Sequence, residues 1–199
     1  MGTPLAPGVL LIGDSISVGY APHVERLLAG RARVVHHEGN GGDSANVLAK
    51  LDGWLAEQAP QLVHFNVGLH DLRWWVKDAK YQVPLEAYRR NLAAIAGKLG
   101  AKRLPAIWAS TTPVADGAPK MSKDFPRKNA DVEAYNAAAL EAVRAAGLAV
   151  NDLYAFVQAR GVARTLLPDG VHLTEEGYAE AGAQVAGAIR EALDARGLP

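Results

Sequence analysis

The stretch Val9-Leu10-Leu11-Ile12-Gly13-Asp14-Ser15-Ile16-Ser17 decides the fold of this chain. Its apolar run enters Gly-Asp-Ser without a polar interruption, and a helix-like pattern follows. An unbroken apolar run suits a strand covered on both faces, as in a parallel sheet. The turn after such a strand opens at the carboxyl edge of the sheet, where open α/β folds bind their ligands. Gly13 admits backbone angles that other residues resist. Ser15 then stands at the top of the sheet, near the first turn of a helix. Free N–H groups and the positive dipole end make that position suitable for an anion. Two readings of Ser15 follow: a nucleophile, or an N-cap, a position that serine favours.

Apolar runs alternate with amphipathic stretches along all 199 residues. That alternation predicts βαβ units, a parallel sheet and one domain over residues 1–199. Strands are expected at 8–13, 33–37, 62–68, 103–110 and 148–153. The first helix is expected to turn Val18, His23, Leu27 and Leu28 inward. The second turns in Val47, Leu48, Leu51 and Leu55; the third, opened by Pro84, turns in Leu85, Tyr88, Leu92, Ile95 and Leu99. Val132, Tyr135, Ala139 and Val143 mark a fourth. Tyr178, Ala181, Val185, Ile189 and Leu193 mark the last. Ser44, Asp131 and Thr174 are the expected caps. A short helix is expected at 154–160, and Trp108 in the core. Leu72-Arg73-Trp74-Trp75 reads as a loop, and residues 111–129 as a long irregular segment.

Lys plus Arg equals Asp plus Glu at 21 each, so there is no electrostatic footprint for a nucleic-acid partner. Cysteine is absent, which excludes disulfides and thiolate chemistry. No apolar run approaches the ~18 residues that span a bilayer. The start of the sequence lacks a basic region followed by a long apolar stretch, so a cytoplasmic protein without membrane insertion is expected. His23, the adjacent His36 and His37, and His64 lie on three different elements, so no metal site is expected.

Asp169 and His172 stand three residues apart before the last helix, a spacing that brings both side chains to one side. A carboxylate that accepts from one imidazole nitrogen leaves the other free to take a proton. Alone the pair also reads as a surface turn. A serine after the first strand and a base before the last helix nevertheless belong at one sheet edge. Gly41-Gly42, His70-Asp71 and Thr111-Thr112 converge there too. The N–H groups of Ser15 and Gly42 and a side-chain donor from His70 could line an oxyanion site. Asp14, Asp43 and Asp71 suit loop-holding hydrogen bonds to backbone N–H groups.

These blocks resemble the SGNH, or GDSL-type, hydrolases. Gly13-Asp14-Ser15-Ile16-Ser17 looks like the first block of that family, which holds the nucleophile. Gly39-Asn40-Gly41-Gly42-Asp43-Ser44 looks like the second, and alignment to it gives the oxyanion N–H to Gly42. Gly68-Leu69-His70-Asp71 falls where the third block has Gly-x-Asn-Asp. Pro168-Asp169-Gly170-Val171-His172 matches the last block, with base and orienting acid. The departure is His70, which stands where the family has asparagine; a neutral imidazole still offers one N–H, and substrate binding or structural packing are the other readings of this position.

The resemblance implies a three-layer α/β/α sandwich with a five-stranded parallel sheet of flavodoxin-like order. It implies ester hydrolysis through an acyl-enzyme on a small-molecule ester, without metal or cofactor. Ser15, His172 and Asp169 would act as nucleophile, base and orienting acid. Asp14, Trp74, Trp75, Thr111 and Val171 are candidate substrate contacts. Small acyl groups are favoured, acetyl esters of carbohydrates among them. Longer acyl chains, as in lysophospholipases and thioesterases, are the rival within the class. A non-catalytic ligand-binding module is the rival outside it. A nucleotide binder would need a Gly-x-x-x-x-Gly-Lys loop or a Gly-x-Gly-x-x-Gly turn, and neither occurs.

Overall fold

A computed structural model describes residues 6–198; the two ends of the 1–199 domain lie outside the described residues. The elements run β1 (Gly8–Ile12), α1 (Ser15–Leu27), β2 (Arg33–His36), α2 (Ser44–Gln58), β3 (Leu62–Phe65), β4 (Trp74–Trp75) and β5 (Lys80–Tyr81). Then come α3 (Leu85–Ala101), β6 (Ala106–Ala109), α4 (Asn129–Ala145), β7 (Ala149–Asn151), α5 (Leu153–Arg160), α6 (Val162–Thr165) and α7 (Glu175–Asp194). Five strands form one sheet of order β2-β1-β3-β6-β7, and every pairing in it is parallel. This is the flavodoxin-like α/β order expected. β1, β3 and β6 are buried along their whole length, as parallel strands covered on both faces must be.

The strands stop earlier than the apolar pattern suggests, because the chain leaves the ladder to build the ligand edge. β3 ends at Phe65, and Asn66 to Gly68 already belong to the loop. β6 starts at Ala106, since Arg103 adopts a left-handed φ of 53° after α3. Trp74 and Trp75 form a two-stranded antiparallel ribbon with Tyr81 and Lys80, not a loop. Asp43 caps α2 by accepting from the Asn46 N–H at 2.9 Å, and Ser44 is its first residue. α4 begins at Asn129, which places Asp131 inside the first turn, where its charge suits the dipole. Thr174 caps α7 through the Gly177 N–H, as expected.

The inward face of α1 is Ile16, Ser17, Tyr20 and Val24, and Leu28 just past its end is buried as expected, whereas Val18 and Leu27 are exposed. The sequence pattern put the apolar stripe out of phase because Tyr20 and Ser17 carry polar atoms yet face inward. The faces of α2, α3, α4 and α7 agree with the spacing. Where α1 meets α7 the backbones come close. A Cβ on Gly19 would run into the Tyr178 ring, and one on Gly182 would meet His23 Cβ at 2.6 Å and Tyr20 O at 3.3 Å. Trp108 is buried in the core.

Candidate active site

Ser15 is the first residue of α1, so its N–H has no partner within the helix. The cap is Asp14, whose Oδ1 accepts from the Ile16 N–H at 3.0 Å. The two readings of Ser15 therefore separate: Asp14 does the capping and leaves the Ser15 hydroxyl free. Ser15 Oγ lies 2.9 Å from His172 Nε2. His172 Nδ1 lies 2.6 Å from Asp169 Oδ2. Asp169 Oδ1 accepts from the N–H groups of Val171, at 2.9 Å, and His172, at 3.0 Å. Burial acts to raise the Asp169 pKa, but these hydrogen bonds outweigh it and hold the carboxyl below its ordinary value. Acid and imidazole are thus fixed within one short turn, and the serine is brought to them from the far end of the chain.

Asn66 supports that arrangement from below. Its Nδ2 donates to Asp14 Oδ1 at 3.1 Å, and its Oδ1 accepts from the Tyr20 hydroxyl at 3.1 Å. Tyr20 Oη lies 3.5 Å from His64 Nδ1, and His64 Nε2 lies 3.2 Å from Asn151 Nδ2. The amide donates, so His64 Nε2 accepts and Nδ1 carries the proton. Burial pushes the His64 pKa down to about 3, consistent with a neutral ring in this chain of hydrogen bonds. Neither Asn66 nor Tyr20 was singled out from sequence. Their signal was faint: a polar residue on a strand end, and a tyrosine on a helix.

Gly42 stands beside the serine turn with φ +65°, a conformation in which glycine is favoured. Its N–H donates to Asn40 Oδ1 at 2.8 Å. His70 is next to it: a Cβ on Gly42 would lie 3.9 Å from His70 Nδ1. On its other side, His70 Nε2 lies 3.2 Å from Arg73 Nη2. Burial, then the charges of Arg73 and Arg127, push the His70 pKa down to about 4, so the ring is neutral near pH 7. Asp71 accepts from the Ser44 N–H with both oxygens, at 3.0 and 3.1 Å. Burial nevertheless pushes its pKa up to about 7.

The structure corrects several candidate substrate contacts. Asp14 and Thr111 are buried. Asp14 holds the serine turn, and Thr111 donates to Val67 O at 3.0 Å. Val171 is buried as well and contributes its N–H to Asp169. The pattern could not distinguish a residue that touches substrate from one that holds the turn beneath it. Trp75 packs on Phe125, with ring centroids 5.0 Å apart, and Trp74 stays partly exposed against Tyr81. An open groove of about 630 Å³ runs from Ser15 along α1 and β2. Val18, Ala21, Pro22 and Val34 form its apolar wall, with His36 and Asn40 among its polar residues. Ser17 Oγ lies 2.6 Å from His36 Nε2, but Ser17 is buried and closed to an ester.

Among the described residues no group of three or more His, Asp or Glu side chains is arranged to hold a metal. No described helix is long and apolar enough to cross a membrane.

Residues 11–180 match the model of the GDSL-like lipase/acylhydrolase family. A lipase/acylhydrolase from Enterococcus faecalis is similar in structure, with a TM-score of 0.79 at 21% identity, covering 93% of this chain and 96% of that one. An acetyl xylan esterase aligns with a TM-score of 0.74 at 14% identity, over 92% of this chain and 99% of its own. A GDSL-like lipase from Bacteroides thetaiotaomicron gives 0.73 at 21% identity, over 97% and 93%. At these identities the likeness is one of fold. No curated protein matches the sequence.

Proposed function

The chain belongs to the GDSL-like lipase/acylhydrolase family, and from that premise we propose that it hydrolyses small acyl esters through an acyl-Ser15 intermediate. The observation that carries this reading is the continuous hydrogen-bonded chain from Ser15 Oγ through His172 to Asp169. Ser15 Oγ attacks the ester carbonyl, and His172 Nε2 takes its proton. Asp169 holds the proton on Nδ1 and stabilises the imidazolium that forms. The tetrahedral oxyanion is held by the N–H of Ser15, the N–H of Gly42 and the Nδ1–H of His70. The Asn40 side chain must release the Gly42 N–H for this step. His172 then protonates the leaving alcohol. Water repeats the sequence, the C–O bond to Ser15 breaks, and the acid departs.

Acetyl esters of carbohydrates are the proposed substrates. The groove beside Ser15 is open, and Glu25 and Asn40 offer polar groups beside its apolar wall, a combination that accommodates the amphipathic face of a sugar. Two proteins similar in fold are an acetyl xylan esterase and an acetyl-xylooligosaccharide esterase. The apolar wall of Val18, Ala21, Pro22 and Val34 favours the second reading, a longer acyl chain. The test is turnover of p-nitrophenyl esters from acetate to palmitate by wild type and Ser15→Ala, with fluorophosphonate labelling of both. The reading expects labelling of wild type only, and rates that fall with chain length. Labelling that persists in Ser15→Ala would overturn the nucleophile. A maximum at long chains would move the substrate to the second reading.

A further inference from the structure

A histidine at an asparagine position raises a question that an amide never meets. An asparagine amide always offers an N–H, but a neutral imidazole has one proton for two nitrogens, so something must choose. His70 Nδ1 is the nitrogen beside Gly42, and Nε2 is the one 3.2 Å from Arg73 Nη2. A guanidinium donates and cannot accept. The Arg73 contact therefore requires a lone pair on Nε2, which leaves the single proton on Nδ1, pointing toward the oxyanion corner.

We propose that Arg73 is a positioning residue that selects the Nδ1–H tautomer of His70 and so makes a histidine serve as an oxyanion donor. The inference rests on the esterase reading of the site. Arg73 is built to stay in place. Its Cζ lies 4.9 Å from the Phe125 ring centroid, its N–H donates to His70 O at 3.3 Å, and its carbonyl accepts from the Gln82 N–H at 2.9 Å. No ion pair to a carboxylate is formed by Arg73 among the described residues, so no acid competes for Nη2. The nearby positive charges of Arg73 and Arg127 also disfavour a second proton on the ring. The same guanidinium thus serves twice: it adds to burial in disfavouring a charged His70 and decides which nitrogen is protonated.

The test reads the tautomer directly. Long-range ¹H–¹⁵N correlation spectra of ¹⁵N-labelled protein at pH 7 should show His70 with a protonated Nδ1 and a bare Nε2. A wild-type spectrum with the proton on Nε2 would overturn the inference without touching the esterase reading, which Ser15→Ala and the fluorophosphonate test separately. Arg73→Met should move the proton toward Nε2 and lower kcat about tenfold, less than the 10²–10³ expected for full loss of an oxyanion donor because part of the Nδ1–H tautomer persists, with KM little changed. In a His70→Asn background the same substitution should change kcat less than about twofold, because an amide donor needs no tautomer choice. Equal losses in both backgrounds, or a loss confined to KM, would mean that Arg73 acts through substrate or through folding. Arg73→Lys, which also only donates, should retain the Nδ1–H tautomer and most of kcat; loss of both would count against the inference.

Discussion

Asn66 Nδ2 donates to Asp14 Oδ1 at 3.1 Å, and this bond ties the loop after β3 to the turn that presents Ser15. Asp14 is buried, and its Oδ2 has no hydrogen-bond partner. Its capping role therefore leans on Oδ1, which Asn66 and the Ile16 N–H share. Asn66→Leu is expected to cost about 2 kcal/mol of stability, since it strips a donor from a buried carboxyl and an acceptor from Tyr20. It should also lower kcat more than it raises KM. Chemical denaturation and steady-state kinetics on one preparation check both expectations.

Asp169→Asn should leave the fold intact and lower kcat about 10⁴-fold, because an amide that donates to Nδ1 forces the wrong tautomer on His172. The melting temperature should move little, since Asp169 is partly exposed. A residual rate within tenfold of wild type would remove Asp169 from its orienting role.

His70→Asn is expected to retain most activity, and His70→Ala to lose about 10²-fold or more in kcat. Equal rates for the two variants would take His70 out of the oxyanion site. Melting curves of both separate this from a folding defect.

Acid should destabilise the protein through its buried histidines. The folded His64 has a pKa pushed down to about 3, below the unfolded value of 6.5, so unfolding takes up a proton between those limits. Stability is then present above about pH 6.5 and falls as pH drops toward 3, by about 1.4 kcal/mol per pH unit for this residue. His36 and His70, both lowered to about 4, act in the same direction. Asp71, raised to about 7, acts in the opposite one, so the measurement is made on a single variant. His64→Asn should flatten the slope of unfolding free energy between pH 6 and 4 relative to wild type.

The parallel sheet is legible from local pattern, whereas its strand order and the roles of Ser15, Asp169 and His172 come with the resemblance of the sequence blocks to the family. Apolar runs mark buried strands; the serine lies at the boundary from β1 to α1, and Asp-x-x-His in the loop that leads into α7, so only the place of the serine follows from sheet topology. The inward face of α1 was not legible, because Ser17 and Tyr20 are buried through hydrogen bonds formed with distant residues. Nor was the Trp74–Tyr81 ribbon, which is too short to show alternation and is held in place by neighbours such as Phe125 and Tyr135. Arg73 was read only as part of a loop; its relation to His70 needs the ring orientation that folding supplies. The sequence offers Asp14, Thr111 and Val171 as candidate substrate contacts, but proximity along the chain says nothing about which way a side chain points, and all three are buried.

The glycines between α1 and α7 give the molecule an adjustment that its chemistry never sees directly. Acid and base share one short turn ahead of α7, and the serine opens α1, so the spacing of these two helices bears on the distance from hydroxyl to imidazole. A methyl wedge at Gly19 or Gly182 would prise them apart behind the reaction centre. Evolution could thereby throttle turnover gradually, without altering any group that meets the ester.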